Sequence, residues 1–498
     1  MNVVVFCAYA VNTPHFEVEL EIAHGHLDDG DQVTMLTCGG ELESCDPNPF
    51  HDPPRCAYCM GRRDAGLALL PSSVSVERFY RLTDDDRREL DALPTSFESI
   101  DELKALRVGE FDIGYAALSS LISTVREPLP DMERHATLLR GLLRASWTVH
   151  RSMMRYLKTH AVDRVYVFNG RYSSMRAVLR ACQEQGVDCF THERGSDLTR
   201  YLLLPNSTIH DAEIVRPMMW EAWESAGEGT DCEAVAREWY ESRAKGGGTF
   251  AYVGGQRRGR LPADWDPGKR NISVFVSSED EYAAISDHWK NPLYESQNAG
   301  LRNIIESLRD DPGNLHLYIR THPNLALVDN TQTRGLKELA APFITVIPPA
   351  DPVDTYAMIR NSASVLTFGS SVGIEAVYWG VPSILAGMNL YRDLGVTYNP
   401  RTHEELIELL HTELQPQMND SVLKYGYFWA TLGTPHNRFV PDGTFQGRFK
   451  GVQIKPSLLV RVRVFALRVT HPRRVTRHIK KQFSKRWRIF RNKVRPRA

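Results

Sequence analysis

The sequence contains no uninterrupted apolar run of the roughly 18 residues that a membrane-crossing helix needs. Leu458–Val469 comes nearest, and Arg461, Arg463 and Arg468 break it. No basic leader precedes the first apolar run, so a secretory signal is not expected. Cysteine is scarce, 8 in 498 residues, which excludes a small disulfide scaffold. In the reducing cytosol that the missing signal implies, clustered thiols point to metal rather than to disulfides. Net charge is almost absent, a formal -1 from 60 Lys+Arg and 61 Asp+Glu. Acidic residues are missing altogether after Asp442, where Gly443–Ala498 carries 18 Lys and Arg. Residues 1–442 hold the other 42 basic residues against all 61 acidic ones, a formal -19. An acidic body with a basic tail implies two different partners.

What is present suits a well-cored protein. The hydrophobic share is 42% and the charged share 24%, which excludes a disordered or collagenous chain, and the length fits two or three domains. Val3–Cys7 is continuously apolar, the mark of a strand covered on both faces. Helical His15–His26, strand Gln32–Cys38, strand Arg164–Phe168, helix Tyr172–Gln185 and strand Val187–His192 give a βαβ rhythm. A polar stretch, Ala244–Gly248 (AKGGG), has the composition of a linker. The rhythm then restarts with strands at Ile272–Val276, Leu315–Ile319, Phe343–Ile347, Ser364–Phe368 and Ser383–Ala386. These patterns predict an α/β chain of two Rossmann-like, doubly wound domains, over 1–245 and 250–445. A basic amphipathic helical tail over 446–498 follows. Two such domains place a ligand cleft at the carboxyl ends of their strands.

Two segments of the second domain carry chemistry. In Leu317-Tyr-Ile-Arg-Thr-His-Pro-Asn324 a strand ends in Arg320 and His322, a cation and an imidazole suited to phosphate, base or ribose. In the second, strand Ser364–Phe368 runs into Gly369-Ser370-Ser371 and a helix begins. There the serine hydroxyls are expected to cap, and the free N–H groups to attract a phosphate. Glu375 lies one turn in, where its carboxylate could take ribose hydroxyls. Plain strand-end turns and a simple serine cap are the bland alternatives.

The RTHP turn, followed about 45 residues later by GSSVGIEAVYWGVPSI, resembles the donor-binding half of GT-B glycosyltransferases. More narrowly it resembles the bacterial capsule polysaccharide biosynthesis proteins, which include transferases using CMP-activated sugars such as Kdo. Phe275-Val-Ser-Ser-Glu-Asp-Glu281, Phe168-Asn-Gly-Arg171, Thr191-His-Glu-Arg-Gly195 and Pro14-His-Phe-Glu17 extend the likeness over roughly residues 1–445. The resemblance implies that His322, Ser370, Ser371 and Glu375 hold the nucleotide, with Ser277 and Ser278 lining the cleft. It also implies a nucleotide-sugar donor and a lipid-linked or growing glycan acceptor in surface polysaccharide assembly. A teichoic-acid-type polyol-phosphate transferase and a catalytically silent membrane scaffold are the rival readings.

On the first domain, His15 at a helix start and Glu193 beside Arg194 are candidate general bases. Asn169 and Arg171 at a strand end are candidate acceptor contacts. No paired-aspartate DxD motif stands out, so no catalytic metal is expected. Cys38, Cys45, Cys56 and Cys59 form C-x6-C-x10-C-x2-C within the 38–59 insertion, enough thiolates for a tetrahedral structural zinc. An iron–sulfur cluster and unligated thiols are the alternatives. In the tail, Val475, Ile479, Phe483, Trp487 and Phe490 recur at three- or four-residue spacing among Arg and Lys. That is the pattern of an interfacial helix on an anionic membrane. The expected location is therefore cytoplasmic and peripheral, at the inner face of the plasma membrane. Packing on the protein's own body and nucleic-acid binding are the lesser alternatives.

Overall fold

The structure, a computed structural model, describes residues 1–79, 82–247 and 255–470. Its first sheet is built from β1 (Asn2–Cys7), β2 (Gln32–Thr37), β3 (Ser75–Arg78), β4 (Arg164–Phe168), β5 (Asp188–Arg194) and β6 (Arg200–Pro205). They run in the order β3-β2-β1-β4-β5-β6, parallel except for β6. The apolar run of β1 is buried on both sides, as its composition predicts. Val4 and Phe6 face the cluster that holds Trp147 and helices Ile113–Val125, Ala136–Thr159 and Ser173–Gln185. Val3, Val5 and Cys7 face Phe16 and Leu20 of helix His15–Asp28.

The second sheet comprises β7 (Arg270–Phe275), β8 (Leu315–Arg320), β9 (Ile344–Ile347), β10 (Ser364–Thr367) and β11 (Ser383–Leu385). It is wholly parallel, in the order β11-β10-β7-β8-β9. Strand order reverses between β1 and β4 in one sheet and between β7 and β10 in the other. Such reversals open a crevice at the carboxyl ends of the strands. His15 and Asn169 follow β1 and β4; Ser277 and Gly369 follow β7 and β10. Each sheet thus brings its candidate residues to its own crevice.

The chain does not stop at the second sheet. Helix Asp420–Thr431 packs against helices Cys232–Ala244 and Ala212–Glu224. Then β12 (Thr434–Pro435) pairs antiparallel with β6, making the first sheet seven-stranded. A hairpin of β13 (Phe439–Gly443) and β14 (Gln446–Phe449) follows, and Phe439, Phe449 and Ile454 enter the cluster beneath β1. The last described helix, Leu458–Thr470, docks on helix Pro53–Leu67. It comes so close that a Cβ on Gly61 would lie 2.5 Å from Val460. The predicted division at residue 445 is therefore corrected: residues from about 420 to 470 complete the first domain. Val475, Ile479, Phe483, Trp487 and Phe490 lie outside the described residues.

One apolar cluster joins the two units, uniting Leu202 and Leu204 of β6 with Tyr240, Ile374, Val377, Tyr391 and Phe428. Tyr240 is fully buried in it. Its ring stacks on Tyr378 at 4.2 Å, and its hydroxyl donates to the Val422 carbonyl at 2.8 Å. Tyr240→Ala leaves a cavity where three helices meet, so it is expected to cost about 3–5 kcal/mol, measured as a lowered denaturant midpoint.

Candidate active site between the two sheets

On the second domain, Ser277 is buried directly after β7, and its hydroxyl has no hydrogen-bond partner among the described residues. The backbone of Gly369 passes beside it, since a Cβ there would lie 3.8 Å from that hydroxyl and 2.8 Å from the Met388 carbonyl. With φ at +140°, the position suits only glycine. Ser370 accepts from the Val372 N–H at 3.3 Å, as a capping hydroxyl should. Ser371 does not cap its helix. Its hydroxyl donates instead to Glu375 at 2.9 Å, which corrects the paired-cap expectation.

Glu375 and Arg320 are also placed differently from the expectation. Both oxygens of the buried Glu375 are engaged, by Arg243 at 2.9 Å and Ser371 on one side and by Tyr356 at 2.5 Å on the other. Burial alone would raise its pKa, but the Arg243 charge and the three hydrogen bonds outweigh it and hold the carboxyl below its ordinary value. Arg320 turns its guanidinium to the carbonyls of Asp351 and Pro348, at 2.9 and 3.5 Å. It braces the loop after β9 and does not converge on the serines. Two of its guanidinium nitrogens are thus spent on backbone, while its buried Nε has no hydrogen-bond partner among the described residues.

His322 caps the short turn Pro323–Leu325, its Nδ1 accepting from the Asn324 N–H at 3.2 Å. Burial, reinforced by the charge of Arg126 against an opposing pull from Asp280, pushes the ring down to about 4. The imidazole is neutral at neutral pH, and its proton sits on Nε2. Ser278 donates to Asp280 at 2.6 Å and accepts from Arg126 at 3.3 Å. Arg126, at the end of helix Ile113–Val125 in the first domain, also pairs with Asp280.

On the first domain, Asn169 (φ +58°) turns its amide onto Glu193 and accepts from the Arg171 N–H at 3.1 Å. Burial raises the Glu193 pKa above the ordinary carboxylate value, although Asn169, the Arg194 N–H and the charges of Arg171 and Arg194 oppose it. His15 lies 4.0 Å from the Phe168 ring, and burial with the Arg194 charge pushes it down to about 3. A base that weak is poorly matched to removing a hydroxyl proton near neutral pH. Glu193, moved toward neutrality, is better matched.

A hydrogen-bonded path links the two crevices. Arg171 donates to the Glu281 carbonyl at 2.8 Å, and Asn324 donates to the Glu281 carboxylate at 2.7 Å. Asn324 in turn donates from its backbone to His322. Arg176 donates to the Ile285 carbonyl at 2.9 Å and Trp289 to the His210 carbonyl at 2.7 Å. The segment after Ser278 is therefore laid across the first domain's strand ends.

The sequence singled out none of Arg126, Arg243, Tyr356, Glu279 or His192 as site residues. Glu279 is pushed up to about 7, mainly by burial and with help from Asp280 and Glu127, so it changes charge near neutrality beside the donor crevice. His192 is buried, with neither ring nitrogen hydrogen-bonded among the described residues and its Nε2 3.8 Å from Glu19. The position of Glu279 and His192 within the quoted strand-end motifs was the available signal. For Arg126 and Arg243 there was none.

Cys38, Cys45, Cys56 and Cys59 line one cavity of about 30 Å³. Three of the sulfurs accept N–H hydrogen bonds: Cys38 from Gly40, Cys56 from Asn48 and Cys59 from Ala10, at 3.1–3.3 Å. Among the described residues, no three His, Cys, Asp or Glu side chains are already placed to hold a metal ion.

Two parallel, doubly wound sheets with facing crevices define the GT-B type of α/β fold. Residues 263–427, the unit carrying Ser277, His322 and Ser370, match the family of capsule polysaccharide biosynthesis proteins. The match covers less of the chain than the resemblance suggested. No curated protein matches the sequence. Among solved structures, the beta Kdo 2,4 transferase KpsC of Thermosulfurimonas dismutans is similar at 13% identity, over 61% of this chain and 87% of its own, with a TM-score of 0.36. The UDP-GlcNAc 2-epimerase of Methanocaldococcus jannaschii is similar at 11% identity over 85% and 98%, with a TM-score of 0.26. At these scores neither adds to the reading of the site. Among the described residues, no helix is long and apolar enough to cross a membrane.

The Glu375 carboxylate supplies a stability test with a definite sign. Its lowered folded pKa means that its stabilisation is complete above the unfolded value and is lost as pH falls through the folded one. Glu375→Gln removes the charge from Arg243's hydrogen bond while Arg243 keeps some contact with water, so it is expected to cost about 1.5–3 kcal/mol at neutral pH. That difference should shrink in acid, as followed by chemical denaturation across pH.

Proposed function

We propose that the protein is a GT-B glycosyltransferase of capsule or surface polysaccharide synthesis. In this reading the second-domain crevice binds a nucleotide-sugar donor, and the first-domain crevice binds the acceptor. The single observation that carries it is the pairing of a family-matched donor unit with a raised-pKa carboxylate, Glu193, across a hydrogen-bonded path between the crevices. Ser277, Gly369 and Ser370 would receive the nucleotide phosphates, with Ser278 beside them. Neutral His322 would donate from Nε2 to the leaving group or ribose. Glu193 would take the proton as an acceptor hydroxyl attacks the anomeric carbon, with Asn169 and Arg171 orienting it and His15 lining the pocket. A CMP-sugar donor and a lipid-linked or growing glycan acceptor are the finer assignments we favour. The basic C-terminal segment would hold the enzyme at the inner face of the membrane.

We further propose that Cys38, Cys45, Cys56 and Cys59 hold a structural zinc that braces the insertion and takes no part in the reaction. The support is one shared cavity and N–H donors aimed at three sulfurs; burial raises the pKa of all four thiols, so the metal's own charge would have to draw off their protons. Closing on zinc requires the thiols to draw together from their present positions. Elemental analysis should find stoichiometric zinc that Cys56→Ser/Cys59→Ser loses; a zinc-free native chain would refute the assignment.

Incubation with CMP-, UDP- and GDP-sugars plus acceptor glycan should release one free nucleotide. Glu193→Gln is expected to lower turnover by roughly 10²–10⁴-fold while nucleotide affinity, measured by calorimetry, stays unchanged. Release of no nucleotide, with no thermal shift in any of them, would favour the scaffold reading.

A further inference from the structure

Helix Leu458–Thr470 is amphipathic in an unusual sense: its apolar face is turned outward. Leu458, Leu459, Val462, Phe465 and Val469 are all exposed, Leu459 at 83% and Leu458 at 71%. At about 100° per residue, Leu458, Val462, Phe465 and Val469 form one stripe with Leu459 on its shoulder. Arg461 and Arg468 flank the stripe on one side and Arg463 on the other. Val460, Val464 and Leu467 point the opposite way and are partly or fully buried, Val460 against Gly61. The helix is thus already docked by one face, and the outward stripe is a second surface. Single exposed apolar residues need no explanation, but five on one helix do.

The charge pattern selects the partner. The helix carries three arginines and no acidic residue, and no Asp or Glu occurs anywhere after Asp442. An apolar stripe bordered by arginines sinks its side chains into the acyl boundary and leaves the guanidiniums at anionic headgroups. The helix is also tied to the acceptor-side loops. Its platform, helix Pro53–Leu67, is pinned by Arg62, which ion-pairs with Glu17 and donates to the carbonyls of Ala10 and Ile454. These contacts flank the loop that delivers His15. Nearby, the hairpin between β13 and β14 carries Phe445, 69% exposed, at its tip. That tip is held at the Glu193 strand end, where Arg194 donates to the Thr444 carbonyl at 3.2 Å.

We infer that helix Leu458–Thr470 seats in an anionic membrane interface and brings the His15 and Glu193 loops to an acceptor held by the bilayer. This deepens the transferase reading and rests on it for the acceptor. It assigns membrane seating to a docked helix of the folded body, distinct from the basic segment beyond residue 470.

The test uses the full chain and co-sedimentation with phosphatidylglycerol-containing vesicles, with pure phosphatidylcholine vesicles as the reference. Wild type should bind the anionic vesicles and leave the neutral ones. Leu459→Glu/Phe465→Glu alters two exposed side chains, so its melting temperature should match wild type while its vesicle partition falls about tenfold or more. Undiminished binding by this variant would overturn the proposal, because residues beyond 470 would then suffice. So would a wild-type dimer that the variant dissolves without any vesicle binding, because a second copy would then cover the stripe. Nucleotide release with a water-soluble acceptor should be equal in wild type and variant. Its absence in both would sink the transferase reading while leaving membrane seating standing on the vesicle data.

Discussion

The relative placement of the two sheets depends on one charge pair, the half-exposed Arg243 with the buried Glu375. Glu375 could not be buried as an ion without that partner, since an unpaired buried charge costs several kcal/mol. Arg243 lies in the last turn of helix Cys232–Ala244, just before the chain enters the second domain, whereas Glu375 lies in the first turn of the helix that follows β10. Tyr356 and Ser371 complete the carboxylate's hydrogen bonds, so the pair is satisfied only when the two units sit in one particular relation. Around it, the stacked Tyr240 and Tyr378 supply apolar area. The pair itself adds geometric selectivity more than net stability.

From that fixed relation the crevices acquire their character. Arg126 reaches from one unit to Ser278 and Asp280 of the other, and Arg171 reaches to the Glu281 carbonyl. Asn169 and Arg171 on one side and Ser277 and Ser278 on the other are buried at these strand ends. The same desolvation holds the His322 imidazole neutral and raises Glu193 toward the range useful to a base.

The sheets were legible in the sequence because β1, β4, β7 and β8 are nearly continuous apolar runs, which only a strand covered on both faces tolerates. The crevice residues Ser277, His322, Ser370 and Asn169 were legible because strand ends in parallel sheets face one way. What could not be read was where Arg320 and Glu375 would spend their charges. Residue type gives the chemistry of a side chain, but its partner is set by packing, and Arg243 lies 132 positions from Glu375. The return of residues 420–470 was equally hidden, because a two-residue strand such as Thr434–Pro435 has no period to detect. The preference between His15 and Glu193 was unreadable for a related reason: burial shifts both, in opposite senses, and burial is a property of the whole fold.

Phe439, Phe449 and Ile454 fill space beneath β1 and helix His15–Asp28 that nothing earlier in the chain fills. During synthesis, the leading domain therefore leaves the ribosome with an open apolar flank. It must wait for roughly two hundred further residues before that flank can be covered. An amino-terminal domain finished by Phe439, Phe449 and Ile454 cannot complete its core before those residues have been made.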